Sequence, residues 1–199
     1  MTRSRALALL SAAGTLAFLA AVLALHGLQP AQDPISVTVS EYVLGHGGWL
    51  FTAGCAAWGL GSLALATLLA RTGSSRTGGA LLTIWATGIL LVAIFPTDPI
   101  DRANQSVHFT TAGIIHAIAG QLAFICFGVA AVMLTRAQRS RGLHTMAALC
   151  AATLAFAVAV TALGQFQLFG LAERLLLSAY IAWSLFMTAH AGRKARPGS

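Results

Sequence analysis

Phe95-Pro96-Thr97-Asp98-Pro99-Ile100-Asp101-Arg102-Ala103-Asn104-Gln105-Ser106-Val107-His108 is the most polar stretch of the chain, and it separates two apolar runs, 79–95 and 112–134. Each run is close to the roughly 20 residues that carry a helix across the hydrocarbon of a bilayer. Two long apolar runs joined by a polar, proline-punctuated loop read as a membrane hairpin. The rest of the chain repeats that pattern.

Only 9% of the residues are charged, 57% are hydrophobic and the mean hydropathy is +0.79. A soluble domain needs more charge than this to cover its surface, so lipid is the main solvent. The formal charge of +7 does not make a nucleic-acid footprint, because the basic residues fall in short groups beside the apolar runs. That placement suits lipid headgroups and membrane topology. Cys55, Cys126 and Cys150 lie inside apolar runs without CxxC spacing and behave as small hydrophobes.

Working outward from the loop, six apolar runs emerge at about 6–26, 47–70, 79–95, 112–134, 144–163 and 172–190. The first follows Arg3 and Arg5 as a signal peptide would. Its length, and the lack of a convincing small-x-small cleavage site before Asp33, favour a retained helix. Gln29-Pro30 and Asp33-Pro34 end it, and Ser40 is placed to cap a helical turn. The sequence therefore predicts an all-α protein. It is a single six-transmembrane-helix bundle over 1–199, with no room for a separate soluble domain.

The basic residues orient this bundle. Arg3, Arg5, Arg71, Arg76, Arg136, Arg139, Arg141, Arg193, Lys194 and Arg196 fall on one side and only Arg102 and Arg174 on the other. Ten against two predicts that both termini are cytoplasmic, in a multi-pass protein of the cell membrane. All five acids, Asp33, Glu41, Asp98, Asp101 and Glu173, fall on the opposite side, which is thereby expected to be extracytoplasmic. His26, His46, His108 and His116 fall there too.

That polar face holds the candidates. Asp98 lies between Pro96 and Pro99, which fix its backbone; it is an acid/base group or ligand, or else a helix stop that caps a turn. His116 shares a helical face with Gly113, Ala117 and Gly120, small residues that let a neighbouring helix approach. An ionisable group there is a functional candidate, against the alternative of a neutral interhelical hydrogen bond. Asp98, His46, His108 and His116 offer an N/O set suited to zinc, although no HxxxH or HExxH spacing supports it. Ser40, Glu41 and Tyr42 place a hydroxyl, a carboxylate and a phenol in succession, and Ser40 as a nucleophile needs His116 or His108 beside it. Glu173 and Arg174 open the sixth helix about 100° apart, so they take different partners, the plainer reading being structural. Tyr42 and Trp49 suit an interfacial aromatic belt, whereas Trp58, Trp85 and Trp183 lie deeper and pack. Asp101, Arg102 and Asn104 read as solvated loop.

Ser40-Glu41-Tyr42 with Gly45 leading to Trp49-Leu50-Phe51, then Phe95-Pro96-Thr97-Asp98, His116, and Leu171-Ala172-Glu173-Arg174 occur in that order. In this combination the chain resembles a bacterial six-helix membrane family, common in actinobacteria and known only as a domain of unknown function. The resemblance covers nearly the whole chain. It implies the six-helix fold and importance for the outer-face positions, but no activity. More distantly, the layout is similar to the eukaryotic six-helix group linked to lipid-anchor remodelling and autophagy modulation. That group also has a polar loop after helix one and a histidine opening helix four, and this likeness implies lipids as partners.

Two functions follow as expectations. One is a membrane protein that binds a lipid or membrane partner, and no nucleic acid, through an outer polar pocket. The other is an intramembrane enzyme acting on a lipid or isoprenoid at the outer leaflet, with Asp98 and His116 as acid/base pair or metal ligands. Glu41 and Glu173 would support it. Transport is weaker, since no mid-membrane charge interrupts a helix.

Overall fold

The computed structural model describes residues 3–194 and contains six long helices. These are α1 (Arg3–Leu28), α2 (Trp49–Arg71), α3 (Arg76–Ile94), α4 (Thr111–Arg136), α5 (Arg141–Ala162) and α6 (Phe169–Lys194). Each is long and apolar enough to cross a membrane, and the chain is an integral, multi-pass membrane protein. Arg196, counted above among the basic residues, lies outside the described residues.

The expected runs match these helices with small offsets that have a physical cause. Hydropathy marks the hydrocarbon, whereas the hydrogen-bonded ladder continues into polar residues that are good helix formers. Thus α6 begins at Phe169 and continues through Arg193 and Lys194. Similarly, α5 starts at Arg141 because the Ser140 side chain accepts from the Leu143 N–H.

Successive helices pack on one another, and α6 closes the ring against α1. Close approach of α1 to α2 needs Gly14, where an added Cβ would run into the Ala57 carbonyl. An aromatic chain of Phe18, Trp58, Trp85, Phe127, Tyr180 and Trp183 fills the centre. The three tryptophans are fully buried, as expected for packing residues. Two of them bond across helices, Trp85 to Ser62 and Trp183 to Thr135, both at 3.0 Å. Trp49 is exposed as an interfacial residue should be, but Tyr42 is fully buried and belongs to a polar network instead of an aromatic belt.

The helices alternate in direction, which gathers all five acids, with Arg102 and Arg174, at one end and the other described lysine and arginine residues at the opposite end. We call these the acidic and basic ends. At the basic end the turns 72–75 and 137–140 are short. The acidic end carries the long loop 29–48, with a 3-10 turn at Ser40–Leu44 that Val39 precedes without a side-chain cap. Ser40 is therefore not the cap expected of it; its hydroxyl pairs with that of Thr38 at 3.0 Å. The stretch 95–110 is more ordered than a solvated loop. β1 (Ile100–Asp101) and β2 (Ser106–Val107) form an antiparallel hairpin, Ile100 opposite Val107.

Candidate ligand-binding site

The loops of the acidic end are tied together by two arginines. Arg102, expected to be solvated, uses every guanidinium nitrogen. Nη2 and Nη1 reach the two Glu41 oxygens at 2.5 and 3.0 Å, Nε and Nη2 donate to Ser36 O, and Nη1 also donates to Ile100 O. The Thr38 amide and hydroxyl each donate to Glu41 Oε2 at 2.9 Å, and the Ile100 amide reaches Oε1 at 3.3 Å. Burial pushes Glu41 up, but the hydrogen bonds from Arg102 and Thr38, with the Arg102 charge, outweigh it and hold the carboxyl below its ordinary range. The contact is a forked arginine–carboxylate pair that fastens the hairpin to loop 29–48.

Arg174 does the same for the start of α6. It donates to His26 Nε2 at 3.1 Å, Val37 O at 2.6 Å, Gly170 O at 3.0 Å and the Tyr42 hydroxyl at 3.0 Å, with its guanidinium over the Tyr42 ring. His26 Nδ1 lies 2.7 Å from Val22 O, an acceptor, so Nδ1 carries the proton and Nε2 offers its lone pair to Arg174. Glu173 turns elsewhere and accepts from the Val39 amide at 2.5 Å. The separate partners expected of Glu173 and Arg174 are what the geometry has. At Gly170 an added Cβ would collide with the Val37 and Pro34 carbonyls, so glycine lets the loop lie directly on α6.

Asp98 receives the Thr110 amide at 2.7 Å and the Thr110 hydroxyl at 2.9 Å, and that hydroxyl caps α4 through the Gly113 N–H. Gly113 also gives the carboxylate its space, since an added Cβ would overlap it. This is the turn-capping arrangement weighed for Asp98. Its side chain nevertheless remains on the wall of a cavity. His116 donates Nδ1–H to Phe95 O at 2.8 Å, satisfying a terminal carbonyl of α3, and its Nε2 has no protein partner.

The cavity, about 310 Å³, lies beneath the hairpin, lined chiefly by α2, α4, α5 and α6 with Phe18 from α1 and Ile89 and Val92 from α3. It exists because α5 buries Leu143, Ala147 and Cys150 toward the basic end but only Val160 toward the acidic end. Thr38, Ser40, Asp98, His116 and Glu173 line its upper part. Ile100, Val107 and Phe109 lie over it, and Phe18, Trp58, Phe124, Leu176 and Leu177 form its depth. Gln121, in the first half of α4, also faces it and makes no hydrogen bond to the protein. The volume is at the lower end of the roughly 300–1,000 Å³ typical of small-molecule sites.

The sequence candidates thus divide. Ser40, Asp98, His116 and Glu173 share the cavity. Glu41, Tyr42 and Arg174 support it from behind. His46 and His108 are exposed and do not line it. Among the described residues no three His, Cys, Asp or Glu side chains gather as a metal site, so the zinc set of Asp98, His46, His108 and His116 does not assemble. Ser40 bonds Thr38, not a histidine. Arg102, Thr110, His26, Gln121 and Trp58 were passed over as site residues. A hydroxyl three residues before Gly113 is an N-cap signal for Thr110, and an amide within an apolar run is one for Gln121.

A family model described as "Protein of unknown function (DUF998)" matches residues 12–190. No curated protein and no solved structure matches the chain.

Proposed function

The chain belongs to the DUF998 family of unknown function, and we propose that it binds a membrane amphiphile, a lipid or single-chain relative, in the cavity beneath the acidic-end hairpin. The observation that carries this reading is the cavity's division into a polar upper part and an apolar, aromatic depth. A headgroup would meet hydroxyls, carboxylates and the free His116 nitrogen while a chain lies against Trp58, Phe124 and Leu176. The volume favours one chain over a whole two-chain lipid.

The acidic end is proposed to face the outside of the cell membrane, with both termini inside. Ten of the twelve basic residues support that orientation, and the other two, Arg102 and Arg174, are bound into the acidic-end network. Entry would be lateral, past the exposed Gln121 and the half-open face of α5.

Native mass spectrometry of the full chain released from mild detergent tests the reading. A lipid-sized adduct is expected on the wild type, and Ala157→Phe, which fills the cavity from α5, should remove it. A clean apo spectrum, or equal retention by the filled variant, overturns it.

An intramembrane enzyme acting on a lipid or isoprenoid is the second reading, favoured by the unpartnered His116 Nε2 on the cavity wall. The hydrogen bonds holding Asp98, Glu41 and Glu173 support binding over acid/base chemistry. Turnover of a membrane lipid extract by the wild type, lost in His116→Ala, would reverse that order.

A further inference from the structure

We infer that the amphiphile's headgroup is cationic, an alkylammonium group, not an anionic phosphate or carboxylate; this rests on the amphiphile reading above and adds the charge class. Asp98 and Glu173 both line the cavity, whereas no lysine or arginine does. The two cations of the acidic end are turned away from it. Arg102 is held by Glu41, Ser36 O and Ile100 O, and Arg174 by His26, Val37 O, Gly170 O and Tyr42. An anionic headgroup would therefore meet two carboxyl groups and no lysine or arginine among the lining residues.

Two further features point the same way. His116 is 92% buried, being 8% exposed, and lines the cavity. Because its Nδ1–H donates to Phe95 O, the free Nε2 presents a lone pair, the correct partner for an ammonium N–H. The Gln121 amide, exposed and without a hydrogen bond to the protein, adds a group that can accept as well as donate to the same wall. Second, Phe18, Phe51, Trp58 and Phe124 line the cavity, and the faces of such rings attract an alkylammonium. The Trp58 indole N–H is buried without an acceptor, the one polar group among the rings and alkyl side chains that form the depth.

The test is equilibrium binding of radiolabelled dodecylammonium to the full chain in zwitterionic-lipid nanodiscs at pH 7, with empty nanodiscs subtracted. Dodecanol and dodecanoate compete at matched chain length. The expected order is ammonium tightest, alcohol weaker and carboxylate weakest. Glu173→Gln, which keeps an oxygen for the Val39 amide, should weaken the ammonium about tenfold or more and the alcohol far less. Retained alcohol binding also shows that this variant is folded. If dodecanoate binds as tightly as dodecylammonium, or Glu173→Gln weakens both ligands equally, the charge assignment is overturned while the amphiphile reading stands. If no probe binds above the empty nanodisc or the Ala157→Phe chain, both are overturned.

Discussion

The two ends of the bundle solve the same problem, reversing the chain between helices, in opposite ways. At the basic end it is done locally: Ser75 caps α3 through Gly78 N at 3.2 Å and Ser140 caps α5 through Leu143 N at 3.4 Å, each within its own turn. At the acidic end the decisive bonds join segments far apart in the chain, Glu173 to Val39, Arg174 to His26 and Val37, and Arg102 to Glu41. Ordering a loop residue costs roughly 1–2 kcal/mol of backbone entropy. A bundle that needed only to cross the membrane would keep 29–48 and 95–110 as short as 72–75. The acidic end bears that cost and offsets it with buried charge networks directly over the cavity. The basic end identifies what folding requires, and the acidic end shows what has been added to it.

The sharpest way to break this contrast is to remove one cation from each end. Arg174→Met keeps the length of the side chain but strands Val37 O and the Tyr42 hydroxyl and leaves His26 Nε2 without its donor. It should cost about 3 kcal/mol, the scale of breaking a buried charged network. Lys194→Met at the basic end removes one hydrogen bond, from an exposed ammonium to Gln138 Oε1 at 2.7 Å, and should cost no more than about 1 kcal/mol. Heating the detergent-solubilised chain with a thiol-reactive dye reads both, because Cys55, Cys126 and Cys150 are free and buried. Equal shifts in midpoint would erase the distinction between the ends.

A glycine pair gives a smaller effect with opposite signs. Gly113 opens α4 at the acidic end and Gly79 opens α3 at the basic end, both in a first turn. A Cβ at Gly113 enters the Asp98 carboxylate, while a Cβ at Gly79 meets nothing within 4 Å. Gly113→Ala should destabilise by about 1–3 kcal/mol through overpacking. Gly79→Ala should stabilise by up to about 1 kcal/mol, since alanine is the better helix former. The same dye assay reports both, and a stabilised Gly113→Ala would remove Asp98 from the cap.

These contrasts also mark how much was legible in the sequence. Six spans were readable because lipid imposes a long apolar run on every crossing helix, whatever packs against it. The gathering of Asp98, His116 and Glu173 at one end followed from simple alternation. Their separation from His46 and His108 did not, because a polar residue near a helix end carries no signal of which way it faces. Arg102 was misread for a related reason. Its partner, Glu41, lies sixty-one positions away and across two helices, and no local pattern encodes that pairing. A sign was present all the same: Arg102 and Arg174 are the two cations on the side that the topology rule depletes, and such exceptions call for a partner. The cavity was invisible, being a gap left where α5 stops packing, and gaps have no residue of their own.

The finest test of the contrast is acid. Glu41 has its carboxyl held below the ordinary range, near 4.5, that it would have in the unfolded chain. A depressed folded value means that its contribution is complete above the ordinary carboxyl range and disappears as pH falls through the lower folded value. Acidification below about pH 4.5 should therefore loosen the hairpin before the helices. The reporters are the Thr38 and Ile100 amides, which donate to the Glu41 carboxylate. Asp33 and Asp101 are also held below the ordinary range, chiefly by the Ser36 hydroxyl and the Asn104 side-chain amide, but their bonds stay within their own turns. Site-resolved hydrogen exchange, corrected for the intrinsic rate, should show Thr38 and Ile100 exchanging severalfold faster as pH drops. The Gly78 and Leu143 amides, held by uncharged serines at the basic end, should not respond. In Glu41→Gln, Thr38 and Ile100 should already be fast at pH 7 and lose their acid response. An undiminished response in that variant would assign the acid sensitivity to another carboxyl and detach Glu41 from the fastening of the hairpin.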